Sequence, residues 1–268
     1  MRADSFMPRV QAATRRIMRA THRGARVRSG WIVAAAAVFV LAVAVRERRP
    51  DPLPGFPRLV LWAWERPERL PFVDPRAAGV AFLARTVAWH DGVVESRPRL
   101  QPLVVPPATP LMAVVRLESG RGPLPDASAV AHETARAAEF PGLRALQVDF
   151  DARLSERAWY RAMLGHLRQA LPPALPLGIT ALASWCQDDD WIGGLPVTDA
   201  VPMAFRMGPG EAFVGARVRE GLCRSSLGVA TDELPASAPR SRRLYVFHPR
   251  PWTEAAYRGA VELARRWR

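Results

Sequence analysis

Eight apolar runs of strand length are spaced along residues 59–248, and few folds accept such a series. They are LVLWAW (59–64), GVAFLA (79–84), MAVVRL (112–117), ALQVDF (145–150), LGITALA (177–183), AVPMAF (200–205), LGVAT (227–231) and LYVFH (244–248). Several are continuously hydrophobic, the pattern of parallel strands covered on both faces. Parallel neighbours need crossover connections, usually helices. Tyr160, Met163, Leu164, Leu167 and Leu171 share one helical face behind Ser155, a candidate N-cap; Tyr257, Ala260, Val261, Ala264 and Trp267 form a second stripe. Residues 127–139 and 211–222 are further predicted helices. Between the second and third runs, residues 85–110 read as an added hairpin turning at His90-Asp91-Gly92. Between the seventh and eighth, DELPASAPRSRR shows no helical pattern. The expected class is α/β, an irregular, small (β/α)8 TIM-like barrel with some helices lost; an open α/β sheet is the alternative.

The chain ahead of the first run has a different character. Eight arginines in residues 1–29 precede fifteen apolar residues without a charge, Trp31 to Val45. That length suits a secretory h-region and falls short of the roughly 20 residues that span a bilayer comfortably. Ala42-Val43-Ala44 offers a signal-peptidase site. The arginine excess on the N-terminal side orients residues 46–268 away from the cytoplasm. The expected organisation is a basic cytoplasmic tail (1–29), a signal-peptide h-region or membrane anchor (30–45), a Pro-rich linker (46–57) and the barrel domain (58–268). The protein is then exported, periplasmic or extracytoplasmic, either cleaved or held in the inner membrane by its apolar segment. Initiation at Met18 instead of Met1 would give the n-region an ordinary length.

The net charge of +13 does not mark a nucleic-acid partner. Residues 1–50 carry +9 of it, and every basic residue is Arg, since the chain has neither Lys nor Asn. The remaining +4 is spread without a basic stripe interleaved with aromatics, so no nucleic acid is expected. Cys186 and Cys223 are the only cysteines. An oxidising compartment permits a disulfide between them, and two separate buried thiols are the alternative. With no CxxC, no HExxH and no His cluster, neither a metal nor another cofactor is expected.

In a barrel of this kind, functional groups collect at the C-terminal ends of the strands. Those ends carry Glu65, Glu118, Asp149 with Asp151, Asp188, Arg206, Asp232 with Glu233, and His248, with Trp62, Trp64 and Trp185 near the same rim. Carboxyls beside indole platforms suit glycan chemistry, in which one carboxyl protonates the leaving oxygen and another attacks or activates water. Asp149 and Asp151 project to one side of the fourth run because strand side chains repeat with period two. Two carboxyls so close do not both ionise without a compensating cation, which raises one pKa and suits a general acid. Arg116 on the third run offers the other reading, a structural clamp that neutralises the pair. The catalytic candidates are therefore Asp149, Asp151, Glu118 and Glu65. The candidate substrate contacts are Trp62, Trp64, Trp185, Arg116, Arg206, Asp188, Asp232, Glu233 and His248.

VDFDARLSE (148–156) resembles the fourth-strand signature of chitinase-type glycosidases, in which alternating Asp lead to a catalytic Glu two residues after the last Asp. Arg153 stands at that position. A longer series is similar to a bacterial family catalogued as domain of unknown function 3142: LWAWERPE, VVRLE, QVDFDARLSERAWYRAMLGHLR, ITALASWC, DWIGGLPVTDAVPMAFRMG, CRSSLGVATDE and YVFHPRPW, in order between about residues 59 and 252. That resemblance implies an exported, barrel-like bacterial domain. Two functions follow as expectations. One is a glycoside hydrolase-like protein acting on an envelope or extracellular glycan by carboxylate acid/base chemistry. The other is a non-catalytic glycan-binding or envelope-assembly protein on a degenerate glycosidase barrel, which Arg153 favours.

Overall fold

A computed structural model describes residues 51–189, 191–208, 212–235 and 242–267. The basic tail, the apolar run and the start of the predicted linker lie outside the described residues. Among the described residues no helix is long and apolar enough to cross a membrane.

All eight apolar runs are strands of one closed parallel barrel. In chain order the strands are β1 (Leu59–Ala63), β2 (Glu68–Arg69), β3 (Ala78–His90), β4 (Val93–Pro98), β5 (Leu103–Val104), β6 (Leu111–Ser119), β7 (Leu143–Asp149), β8 (Leu177–Leu182), β9 (Asp199–Met203), β10 (Ser226–Ala230) and β11 (Arg243–Phe247). Around the barrel the order is β1-β3-β6-β7-β8-β9-β10-β11, and β1 closes it by pairing with both β3 and β11. Leu59 sits in register with Ala78 on one side and Leu244 on the other. Alternation divides each strand between two cores. Leu59, Leu61 and Ala63 join the outer layer, while Val60 and Trp62 fill the barrel interior with Met112, Val114, Val201 and Tyr245. This double burial explains the continuous hydrophobic runs.

Four helices are present among the described residues: α1 (Ala127–Ala135), α2 (Arg157–Ala170), α3 (Ala183–Gln187) and α4 (Glu254–Arg266). Helix α2 buries Tyr160, Met163, Leu164 and Leu167 as the spacing predicts. Its start differs from expectation. Ser155 is exposed in a short 3-10 turn, and the buried Glu156 carboxylate instead accepts the Arg153 N–H at 2.7 Å. The added hairpin is β3–β4, with Asp91 (φ 49°) and Gly92 (φ 80°) forming its tight turn. Residues 212–222 form 3-10 turns rather than the predicted helix. The Arg219 and Glu220 N–H groups donate to the Cys186 carbonyl instead of to carbonyls of their own turn.

The predicted linker is also corrected. From Asp51 onward it is a plug under the barrel, at the N-terminal ends of the strands. Leu53 and Phe56 are buried against the interior cluster. Gly79 makes room for the plug, because a Cβ there would lie 2.3 Å from Phe56 Cε1. Arg243, buried at the start of β11, pairs with Asp51 at 2.9 Å and donates to the carbonyls of Leu53, Phe56 and Pro57. The sequence gives no sign of this, because proline content alone reads as linker.

Asp199 lies in the same floor, 1% exposed, and accepts a hydrogen bond from Ser226 Oγ at 2.5 Å. Burial pushes its carboxyl up to about 6, against the opposing pull of Ser226 and Arg243. A carboxyl raised in the folded state favours the protonated fold. Its contribution is fully present below the ordinary carboxylate range and is lost as pH rises through about 6. Urea midpoints of the wild type are expected to rise on acidification from about pH 7.5 to pH 5, by roughly 1–1.5 kcal/mol of stability from this group. Asp199→Asn should flatten that rise. An unchanged slope in the variant would remove Asp199 as its source.

Candidate functional site

At the opposite, C-terminal end the barrel opens into a cavity of about 630 Å³. Its floor is Trp62, 3% exposed, whose indole N–H donates to Gln147 Oε1 at 3.0 Å. The ring fits because residue 228 is glycine. A Cβ there would stand 2.8 Å from Trp62 Cη2. One wall is aromatic. Phe205 and Phe247 stack with centroids 5.8 Å apart and planes 4° from parallel, and Trp64 meets Phe247 edge-on at 6.3 Å. Arg99, just beyond β4, fixes the Trp64 loop by donating to the carbonyls of Trp64 and Arg66.

The carboxyls stand on the other side. Asp149 is the last residue of β7 and pairs in register with Arg116 of β6. It is buried, accepts from Thr180 Oγ1 at 2.7 Å and forms an ion pair with Arg116 at 3.5 Å. Burial raises its pKa; Thr180 and Arg116 oppose that rise, and Asp151 and Glu118 add to it. Asp151, two residues on with the same parity, is exposed to the cleft and makes no hydrogen bond or ion pair among the described residues. Its pKa is raised by the protein packed around it, against the nearby Arg116 charge. The two aspartates thus differ in kind. The clamp reading describes Asp149, while Asp151 is open to a ligand.

Arg206 edges the mouth with a left-handed backbone (φ 54°), uncommon for a residue with a side chain. Glu233 holds it in that state, accepting from its backbone N–H at 3.0 Å and from Nη1 at 2.7 Å, and Asp232 accepts from Nη2 at 2.6 Å. Such held conformations concentrate at functional sites.

Residues 107–204 match the family model described as domain of unknown function (DUF3142). That stretch is similar to the DUF3142 family. The matched stretch supplies Arg116, Asp149, Asp151 and Thr180, so the polar side of the cleft lies within the DUF3142 segment. No curated protein and no solved structure matches the chain.

Of the residues singled out in the sequence, Trp62, Trp64, Arg116, Asp149, Asp151 and Arg206 line this cavity. Asp232 and Glu233 stand behind Arg206, and Glu118 lies against Arg116 at 3.0 Å. Glu65 and Asp188 are exposed outside the lining. Trp185 is not a sugar platform. Helix α3 turns it into the outer layer, 1% exposed and edge-on to Trp191 at 4.8 Å. His248 bonds Thr231 Oγ1 at 2.6 Å and packs on Trp252, and burial lowers its pKa. Arg153, at the acid position of the chitinase-type signature, is exposed and lies outside the lining. Cys186 and Cys223 form a disulfide that ties α3, whose first residues line the cavity, to the turn before β10.

Sequence reasoning missed Thr180, Phe205 and Phe247. Phe205 lies just past β9 and Phe247 ends β11, but a Phe there reads as ordinary core. Thr180 shows only through its inward parity on β8. Among the described residues no group of three or more His, Cys, Asp or Glu is arranged to hold a metal ion.

Proposed function

We propose that the mouth of this barrel binds a saccharide chain in the manner of a glycoside hydrolase-like site. The observation that carries the reading is the aromatic wall of Trp64, Phe247 and Phe205 lining the same cavity as the carboxyl of Asp151, which has no direct partner among the described residues. Sugar rings present apolar C–H faces to aromatic rings and hydroxyls to charged acceptors, and charge-assisted hydrogen bonds are the stronger kind. The cavity volume lies within the usual range of ligand sites, roughly 300–1,000 Å³. The arginine-rich start and apolar run of residues 1–45 support an envelope or extracellular glycan as the partner, with the inner membrane holding the N-terminal segment if it is retained.

A second reading, hydrolysis by carboxyl acid/base chemistry, is favoured by the raised pKa values of Asp149 and Asp151. In that reading Asp151 gives and takes the proton and Asp149 keeps its neighbour's charge unfavourable. Chitinase-type chemistry lacks its proton donor here, because Arg153 occupies that position outside the cavity.

Calorimetric titration of soluble polysaccharide fragments tests both. Phe247→Ala is expected to weaken binding about tenfold, the loss of one stacking face. Product that accumulates with the wild type and not with Asp151→Asn makes the site catalytic. Binding without product in either makes it a sugar-reading module. If no fragment binds the wild type, the glycan reading is wrong.

A further inference from the structure

We propose that the saccharide held in this mouth is cationic, a glycan with free amino sugars whose ammonium group pairs with Asp151. The inference rests on the glycan-binding reading of the same cleft and does not need turnover.

Its ground is the pairing of charges. The ionisable groups lining the cavity are Arg116, Arg206, Asp149 and Asp151. Arg116 is already met by Asp149 at 3.5 Å and by Glu118 at 3.0 Å. Arg206 is met by Asp232 at 2.6 Å and by Glu233 at 2.7 Å. Each guanidinium therefore faces two carboxylates, and Asp151 has no direct partner among the described residues. Carboxylates outnumber the guanidiniums at the mouth even before Asp151 is counted.

Three classes of saccharide meet this arrangement differently. An anionic glycan finds, among the described lining residues, no unmatched cation and one unmatched carboxylate. A neutral glycan covers Asp151 while supplying no counter-charge, and a charge taken out of water without a partner is costly. An amino sugar brings an ammonium that pairs with Asp151 as the cleft fills, a charge-assisted contact. The aromatic wall reinforces the choice, because ring faces attract cations. Arg116 lies over the Trp64 ring at 5.8 Å, so one face of this wall already holds a cation.

The test is titration of the full-length protein with glucosamine oligosaccharides and, at matched length, with oligomers of N-acetylglucosamine and of galacturonic acid. It is run at about pH 6, where the free amines are protonated. Glucosamine oligomers are expected to bind at least tenfold more tightly than the acetylated ones, with the galacturonate oligomers weakest. Added salt should erode the glucosamine affinity first. Asp151→Asn should bring glucosamine binding down to the acetylated level, whereas Asp151→Glu, which keeps the charge, should retain the preference. If the acetylated oligomer binds as tightly as the free amine, or the preference survives Asp151→Asn, the cationic inference is overturned while the glycan reading stands. If none of the three oligomers binds, both readings fall together.

Discussion

Trp62→Ala is expected to lower the unfolding free energy by about 3–5 kcal/mol, the cost of emptying a large aromatic site that cannot collapse. Trp62 fills the upper barrel interior, 5.3 Å from the Tyr245 ring and 6.2 Å from that of Phe205. The residue across from it is Gly228, with no side chain to move into the void. The substitution also strips Gln147 of the indole donor, and the Gln147 amide nitrogen is already buried without a partner. Denaturant unfolding of the variant beside Trp62→Phe, which keeps most of the ring volume, measures the effect. A loss below about 1 kcal/mol in Trp62→Ala would mean the barrel closes around the gap. The same variant should lose saccharide affinity, since the cleft floor drops away.

The disulfide carries the second large effect. Cys186 and Cys223 are 37 residues apart, and a cross-link of that span stabilises by about 4 kcal/mol in the chain-entropy account. The paired variant Cys186→Ala/Cys223→Ala, or the wild type under reductant, should unfold at a clearly lower midpoint. The effect should reach the cleft too, because the bond joins α3, which begins with the lining residues Ala183 and Ser184, to the turn leading into β10. Coincident melts with and without reductant would show that tertiary packing alone holds these segments.

These two expectations lean on different levels of the molecule. The cysteines are visible as a pair in the sequence, which permits a bond and leaves two separate thiols as the alternative. Their Cα atoms come within 5.8 Å only because α3 and the pre-β10 turn are brought together on one side of the barrel. Trp62 was visible as an aromatic near a strand end. That it forms a floor, while Trp64 two residues on forms a wall, follows from depth along the barrel axis, which local pattern does not encode.

The eight strands and the face each residue takes follow from local pattern alone. A strand buried on both sides must be apolar throughout, and a period of two puts Asp149 and Asp151 on the inner face whatever surrounds them. The β3–β4 hairpin was equally legible, since Asp91-Gly92 supplies the positive φ values its turn requires. The rest depends on contacts between distant segments. Helix α3 turns Trp185 outward, and the plug from Asp51 onward is held by Arg243, 192 residues away in sequence. Contact with the Cys186 carbonyl replaced a helix over 212–222 by turns. Asp149 became a clamp and Asp151 an open carboxyl because Thr180 and Arg116 reach one and leave the other without a direct partner. Patterns of burial are local and repeat along the chain. Partnerships between charges and rings are made across it, and those distinguish a binding cleft from a packed barrel end.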